Sequence, residues 1–465
     1  MKQYLFFLLS VLLFGCGSST PPPSGDYLGL LSFPNITYHI YLKSRPEKLS
    51  LINATFKAEE FPLDTIYFDK DSLHFTLKEF YSEYKGKYDP ATNTIQGIWL
   101  DDDTLAHPLK FTITDPNTLP GLHPRVGRYI YRPPLEENDA IPVSTTALQH
   151  IDSNVMDSVV HHIITGKYKD IHSLLIARND SLVVEEYFYR FHPDYVYNIQ
   201  SATKSVVSAL TGIALARKEI KSIDTPLCGL VSVYDSLACL PRNKTITLKQ
   251  LLTMSTGIPW QEQSYDYTDP RNSASIAANE KDQIVYLLSL PRKDTTPVFA
   301  YNSLNHILMN VVLRQATGLE NKKELTQRIL MPLGINDVYI PEPTPMGAIG
   351  DIGLRPRDML KFGWLYQHEG RWQQQQIVPA SWVKESTTPK VYPRPHLGYG
   401  YFWWTRNFKW KNTTVSSFFA WGYGGQYIIV IPSLHVTIVM SGSHWGTDPE
   451  DQMVGIVEEI LTGIE

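Results

Sequence analysis

The chain is poor in cysteine, with three in 465 residues, and two of them, Cys228 and Cys239, lack the surroundings that activate a thiol nucleophile. It has no cluster of lysines and arginines and a formal net charge of -5, which argues against nucleic acid as a partner. The histidines are scattered without the spacing of a zinc site, so neither a metal nor a cofactor is expected. The apolar run Leu5 to Phe14 has the length of a signal-peptide core and is too short to cross a bilayer as a permanent helix. What remains is 465 residues, too many for one ordinary core, so two domains are expected.

Met1-Lys2-Gln3 gives a short basic start, and Leu13-Phe14-Gly15-Cys16 resembles a bacterial lipobox, although Phe14 is larger than the residue usual at its place. Residues 1–15 therefore read as a lipoprotein signal peptide, with Cys16 as the lipidated first residue of the mature chain. Residues 16–25, rich in glycine, serine and proline, would be the extended tether of that anchor. The expected location is the cell envelope, anchored on the periplasmic side of the outer membrane. Surface display is one alternative, and a plain secretory signal with Cys16 incidental is another. Cys228 and Cys239 lie within one short connection, and such a compartment permits a bond between them, which the spacing alone leaves open.

From Asp26 to Pro116 short runs alternate apolar and polar residues, as in Tyr38-His39-Ile40-Tyr41-Leu42 and Thr94-Ile95-Gln96-Gly97-Ile98-Trp99-Leu100. That pattern predicts a small antiparallel β domain, either barrel or sandwich, serving as a spacer or binding a glycan or lipid. Residues 117–145, with several prolines and Glu136-Glu137-Asn138-Asp139, read as a linker. Residues 146–465 open with a helix near Ile151 to Thr165. A hairpin of Ser173–Ala177 and Leu182–Tyr187 follows, turning at Asn179-Asp180. Ile428–Pro432 and Val436–Met440 would pair with it, so the sheet draws strands from both ends of the domain. In the loop after Gly350, Arg355, Arg357 and Asp358 read as structural ion pairs.

The pattern Ser-x-x-Lys occurs at Ser82…Lys85, Ser201…Lys204 and Ser381…Lys384. On a helix a spacing of three puts both side chains on one face, where an amine can take a proton from a serine that is otherwise a poor nucleophile. Ser82 lies in a segment of strand and turn, where the same spacing points the two side chains to opposite faces. Ser381 follows Pro379 and reads as the cap of an ordinary short helix. Only Ser201 is followed by a stretch apolar almost all round, including Val206, Val207, Leu210 and Ile213, which predicts a buried helix. Burial there would lower the pKa of Lys204 from about 10.4 toward the range of a base. Otherwise Ser201 merely caps the helix and Lys204 is solvated.

Downstream stand Phe299-Ala300-Tyr301-Asn302-Ser303-Leu304-Asn305 and Ala420-Trp421-Gly422-Tyr423-Gly424-Gly425-Gln426, with Thr247 to Gly257 and Met331-Pro332-Leu333-Gly334 between. With this ordered set, residues 150 to 465 resemble the serine β-lactamase-like hydrolases: class C β-lactamases, D,D-peptidases, family VIII esterases and 6-aminohexanoate-dimer hydrolases. The resemblance implies an antiparallel sheet flanked by helices with a mostly helical subdomain, so that the whole chain is multidomain. It implies a covalent acyl-enzyme on Ser201, with Lys204 and Tyr301 sharing the proton transfer as a unit. It also implies an oxyanion hole from the N–H of Ser201 and that of Tyr423, with Gly424 as competitor. Gly422 and Trp421 complete the third motif.

Two departures bear on substrate. The second motif reads Tyr301-Asn302-Ser303 instead of Tyr-x-Asn, so a substrate side chain would meet Ser303 or Asn302, or Asn305 in their place. Ala420 stands where β-lactamases carry the lysine that holds a carboxylate, which argues against efficient β-lactam cleavage. Some of Tyr399, Tyr401, Trp403, Trp404, Trp260 and Tyr265 would line a pocket shaped by the loops Pro259–Arg271 and Lys390–Tyr399. His444 reads as a satisfied histidine. The expected function is hydrolysis of a small ester or amide. A D,D-peptidase or weak β-lactamase is the alternative within the enzyme class, and a binding or sensing lipoprotein without turnover is the alternative outside it.

Overall fold

The computed structural model describes residues 24–33, 36–45, 48–53, 60–63, 65–69, 71–77, 82–100, 105–114, 129–189, 191–267, 269–292, 298–336, 338–340, 350–444 and 449–465. The expected signal peptide, Cys16, nearly all of the tether and the first part of the expected linker lie outside these residues. Among those described, no helix is long and apolar enough to cross a membrane. The chain divides into two compact units, Met1–His123 and Pro124–Glu465.

The first unit is built from β1 (Gly25–Phe33), β2 (Ile36–Arg45), β3 (Lys48–Asn53), β4 (Glu60–Pro62), β5 (Thr65–Asp69), β6 (Ser72–Leu77), β7 (Ser82–Asp89), β8 (Thr94–Leu100) and β9 (Ala106–Thr114). They form one sheet in the order β4-β3-β2-β1-β9-β8-β7-β6-β5, every pair antiparallel. Following the strand directions around from β1 makes β4 and β5 run the same way, although they stand at opposite ends of that order. Pro62 and Thr65 are three residues apart, at most about 11 Å, which brings the end of β4 near the start of β5, and the single core on one face shows a sheet curled into a barrel-like shape. Alternate side chains of its strands, among them Tyr27, Leu42, Leu73, Phe75, Tyr84 and Phe111, form a single core. Tyr84 OH donates inside it to the carbonyl of Leu109, at 3.2 Å. Side chains fill the interior.

The second unit carries an eight-stranded antiparallel sheet in the order Ser181–Tyr187, Ile171–Arg178, Val436–Gly442, Gln426–Ile431, Thr413–Gly422, Trp404–Trp410, Leu397–Tyr399 and Val391–Arg394. The first and last thirds of the domain meet at the pairing of Ile171–Arg178 with Val436–Gly442. Asn179 and Asp180 take φ of 46° and 61° in the hairpin turn, as a two-residue loop of this hand requires. The helices Ser153–Ile164 and Glu450–Thr462 pack together, and Pro356–Gln367 lies on the sheet's central strands. The residues between the two sets of strands are mostly helical, including Thr203–Ala216 and Leu304–Thr317, which pack against each other.

Part of the expected linker belongs to this second unit. Tyr131 OH donates to the carbonyl of Val183 at 3.0 Å, and Val143 bridges Leu182, so the chain from residue 129 is strapped along the edge strand. Arg357 pairs with Glu185 at 2.6 Å and Asp139 at 3.1 Å, and Asp358 lies between Arg355 and Lys361. Cys228 and Cys239 are joined in a disulfide. Ser381 is not a cap: the helix Ala380–Ser386 follows Pro379 without a side-chain cap, and Ser381 and Lys384 are both exposed. Ser82 points into the barrel while Lys85 points out and pairs with Glu83, the opposite faces that a strand imposes.

Candidate active site

The segment leading to Ser201 is fixed by backbone pairing before any side chain acts. Tyr197–Asn198 pairs with Gly353–Leu354, and Ile199 N donates to the carbonyl of Ile352 at 2.9 Å. Gln200 then takes a left-handed conformation, φ 52°, with its N–H held by Asn198 Oδ1 at 2.8 Å. A non-glycine residue there costs on the order of 1 kcal/mol, and the strain falls on the residue before Ser201. Ser201 sits in the 3-10 turn Gln200–Ala202, which runs into the helix Thr203–Ala216, buried from Thr203 to Ala214. The deep burial follows from the apolar sequence of that helix.

Lys204 Nζ donates to Ser201 Oγ at 2.9 Å and lies 5.2 Å from the centre of the Tyr301 ring. Tyr301 stacks on Trp404 at 6.0 Å between ring centres, and its phenol lies close enough to Ser201 and Lys204 for both to favour its ionised form. The amine is not depressed into the range of a free base. Burial pulls Lys204 down and is the largest single effect, but Tyr301, Asp351 and Glu262 together hold it above the ordinary lysine value. Burial pushes the Tyr301 phenol up, Lys204 pulls it back, and Glu262 adds to the rise. The two side chains therefore hold their protons together and titrate as a pair.

The second motif is arranged differently from its expected role. Ser303 donates from its hydroxyl to Glu262 Oε1 and from its N–H to Glu262 Oε2, the latter at 2.8 Å. Asn302 turns inward, 1% exposed, and its Oδ1 accepts the N–H of Leu304 at 2.9 Å, capping the helix that follows. Asn305 is fully buried against the carbonyl of Leu251 and the sulfur of Met254. Neither amide lines the cavities at Ser201, because helix capping and core packing claim them.

Three residues of the site were not legible. Glu262, 3% exposed, accepts from Trp260 Nε1 at 2.8 Å and Tyr267 OH at 2.9 Å as well as from Ser303. Asp351 lies close enough for Lys204 to pull its carboxyl down against the upward push of burial. His306 is kept neutral, pushed well below the usual imidazole range by burial and by Lys204, with Nδ1 bonded to the carbonyl of Ser303. Glu262 stands in a non-periodic loop, where the nearby Trp260, Tyr265 and Tyr267 were the available signal.

The third motif reaches Ser201 through its glycines. A Cβ on Gly422 would lie 2.1 Å from the carbonyl oxygen of Ile199, so the end of Thr413–Gly422 rests directly on the turn that carries Ser201. Gly424 and Gly425, φ 80° and 89°, close the turn into Gln426–Ile431. Tyr423, between them and Gly422, lines both cavities that open on Ser201. The carbonyl of Gly424 accepts the N–H of His444 at 3.0 Å, on the side toward the C-terminal helix. His444 itself is satisfied by the carbonyl of Lys169 and by Gln452, each at 2.8 Å.

One cavity, about 390 Å³, is walled by Tyr265, Tyr267, Tyr301, Trp404, Trp421 and Tyr423, with Arg394 and Pro449 at its border. The other, about 430 Å³, is bordered by Lys204, Glu262, His306, Asp351 and Tyr423. Tyr399, Tyr401 and Trp403 are core residues, 1%, 2% and 0% exposed, and Trp260 is buried on Glu262. Among the described residues no group of histidine, cysteine, aspartate and glutamate is arranged to hold a metal ion.

A family model described as Beta-lactamase matches residues 172–458. No curated protein matches the sequence. Among solved structures, a Bacillus anthracis protein assigned as a 6-aminohexanoate-dimer hydrolase is 19% identical at a TM-score of 0.54, covering 69% of this chain and 86% of its own. A penicillin-binding protein homologue from Caulobacter crescentus is 14% identical at 0.52, covering 67% and 97%. A class C β-lactamase is 11% identical at 0.52, covering 67% and 96%. At these identities the likeness is one of fold.

Proposed function

Because the chain belongs to the β-lactamase family and is a serine hydrolase of that superfamily, we propose that it cleaves a small ester or amide through an acyl-enzyme on Ser201. The observation that carries this reading is the contact of Lys204 Nζ with Ser201 Oγ at 2.9 Å beneath the Tyr301 ring. Once the Lys204–Tyr301 pair has lost a proton it takes the one on Ser201 Oγ, and that oxygen bonds to the substrate's carbonyl carbon. Negative charge moves to the carbonyl oxygen, facing the backbone N–H groups of Ser201 and Tyr423. As the tetrahedral centre collapses, the bond to the alcohol or amine breaks and the pair returns its proton to that leaving group. Water then repeats the sequence, releasing the acid and restoring Ser201.

The aromatic cavity suits an apolar acyl group. Ser303 gives its one hydroxyl proton to Glu262, and so offers no donor to the carbonyl of an acylamino side chain. Position 420 is alanine, and the carboxylates near Lys204 disfavour a substrate carboxylate there. These features support an esterase-like enzyme over a D,D-peptidase or β-lactamase. Competitive labelling of the purified protein with a fluorophosphonate and a fluorescent penicillin tests it: labelling by the first alone is expected, and efficient labelling by the penicillin would overturn the preference.

The lipid anchor at Cys16 and an envelope location belong to the same proposal. A disulfide at Cys228 and Cys239 supports an oxidising compartment. Intact-mass measurement of protein extracted from membranes should find a chain beginning at a diacylglyceryl Cys16; an unmodified mature N-terminus would refute the anchor.

A further inference from the structure

Glu262 has no part in the mechanism above, yet it is the most heavily hydrogen-bonded side chain at the site. Its carboxylate is 3% exposed and accepts the indole N–H of Trp260 at 2.8 Å, the phenol of Tyr267 at 2.9 Å, the N–H of Ser303 at 2.8 Å and the Ser303 hydroxyl. A hydroxyl has one proton. With that proton directed at Glu262, the lone pairs of Ser303 Oγ are left for the other neighbour, Lys204 Nζ, at 3.4 Å. The chain of contacts therefore has one direction: Lys204 donates to Ser303, and Ser303 donates to Glu262.

Lys204 is a long, flexible side chain, and proton transfer requires its nitrogen to stay on Ser201 Oγ. Besides the Tyr301 phenol, it has Ser201 Oγ at 2.9 Å and Ser303 Oγ at 3.4 Å as hydroxyl neighbours, carried on segments far apart in the chain. We propose that Glu262 is the positioning residue of this site, orienting the Ser303 hydroxyl so that it accepts from Lys204 and holds the amine against the nucleophile. The inference rests on the acyl-enzyme reading and adds to it a residue outside the three motifs. The simpler role for Glu262 is to fasten its own loop through Trp260 and Tyr267, and a purely fastening role predicts that changes at Glu262 and at Ser303 act independently of each other.

The coupling between Glu262 and Ser303 separates the two roles, and titration checks that Glu262 acts on the proton-carrying pair. The groups facing Lys204 are Tyr301 and His306 from the start of Leu304–Thr317, Asp351 from the segment before Gly353–Leu354, and Glu262 from its loop. Removing the negative charge of Glu262 lets both Lys204 and Tyr301 lose a proton at lower pH.

The test is the rate of fluorophosphonate labelling of Ser201, followed by mass spectrometry across pH, in the full-length protein and in Glu262→Gln, Ser303→Ala and the double variant. Glu262→Gln should lower the plateau rate about 10- to 100-fold and move the midpoint of the acid limb to lower pH. Ser303→Ala should lower the plateau similarly with a smaller movement of the midpoint, and the double variant should lose little more than the worse single one. Ser303→Ala removes few atoms and carries the test should Glu262→Gln fail to fold. A Glu262→Gln protein with unchanged plateau and midpoint, or additive losses in the double variant, would overturn the inference alone. Failure of the wild-type protein to label at Ser201 would instead overturn the acyl-enzyme reading beneath it.

Discussion

The barrel and the catalytic unit are both rich in aromatic residues, but they bury different things. Among the described residues of the barrel the buried polar side chains are Ser44, Ser50, Ser82 and Thr94, all neutral. The catalytic unit buries Lys204, Glu262, Arg328, Glu324, Arg357, Asp358 and Lys361. Desolvating a charge is costly unless partners meet it. Most of these charges form structural clusters such as Arg328 with Glu219 and Glu324. The exception is the group around Ser201, where a lysine, a tyrosine and two carboxylates surround a hydroxyl open to two cavities. Buried charge beside an open cavity, rather than aromatic content or the Ser-x-x-Lys pattern, distinguishes the part of the molecule that does chemistry.

The sharpest test of that contrast is Ser201→Ala, which should lower kcat for a short-chain nitrophenyl ester by at least about 10⁴-fold while leaving the fold intact by circular dichroism. Retained activity would break it. Tyr301→Phe comes next: loss of the phenol should cost roughly 10²- to 10⁴-fold in kcat/KM. The wild-type profile of kcat/KM should rise into alkaline pH, because Lys204 and Tyr301 both hold their proton above their ordinary values. A plateau already reached at acidic pH would contradict that electrostatic account.

Disturbing the barrel should separate stability from activity. Phe75→Ala removes a fully buried ring and should destabilise the first unit by about 3–5 kcal/mol, read as an early unfolding transition, with kcat unchanged within about twofold at temperatures below it. A parallel fall in kcat would mean that the barrel contributes to the site. The smallest effect belongs to the decoy pattern: Lys85→Ala, on an exposed side chain paired with Glu83, should change stability by no more than about 0.5 kcal/mol and leave hydrolysis untouched.

Much of this contrast was legible beforehand. Alternation marked β2, β3, β6, β8 and β9, and the continuous apolar run after Ser201 marked the helix Thr203–Ala216, because both are periodic signals that burial imposes directly. The hairpin at Asn179-Asp180 and the pairing of strands from the two ends of the domain were visible for the same reason. The inward turn of Asn302 and Asn305 was not, since an amide next to Tyr301 in that motif reads as a substrate contact until a helix N-terminus and a methionine sulfur are seen to claim it. The state of Lys204 was misjudged from sequence. Burial was foreseen, but Asp351 and Glu262 reach the amine from segments far away in the chain.

The sequence by itself determined which serine lies at the head of a buried helix, which tyrosine and glycines follow it in order, and that a β domain precedes the enzyme. Each of those is a local pattern or an order of patterns. Only the tertiary structure decided the order of the nine strands in one sheet, that Gly422 rests on the turn of Ser201, and that Ser303 stands between Glu262 and Lys204. Charges act through space, and their effect on a proton depends on distances and desolvation that no spacing along the chain encodes.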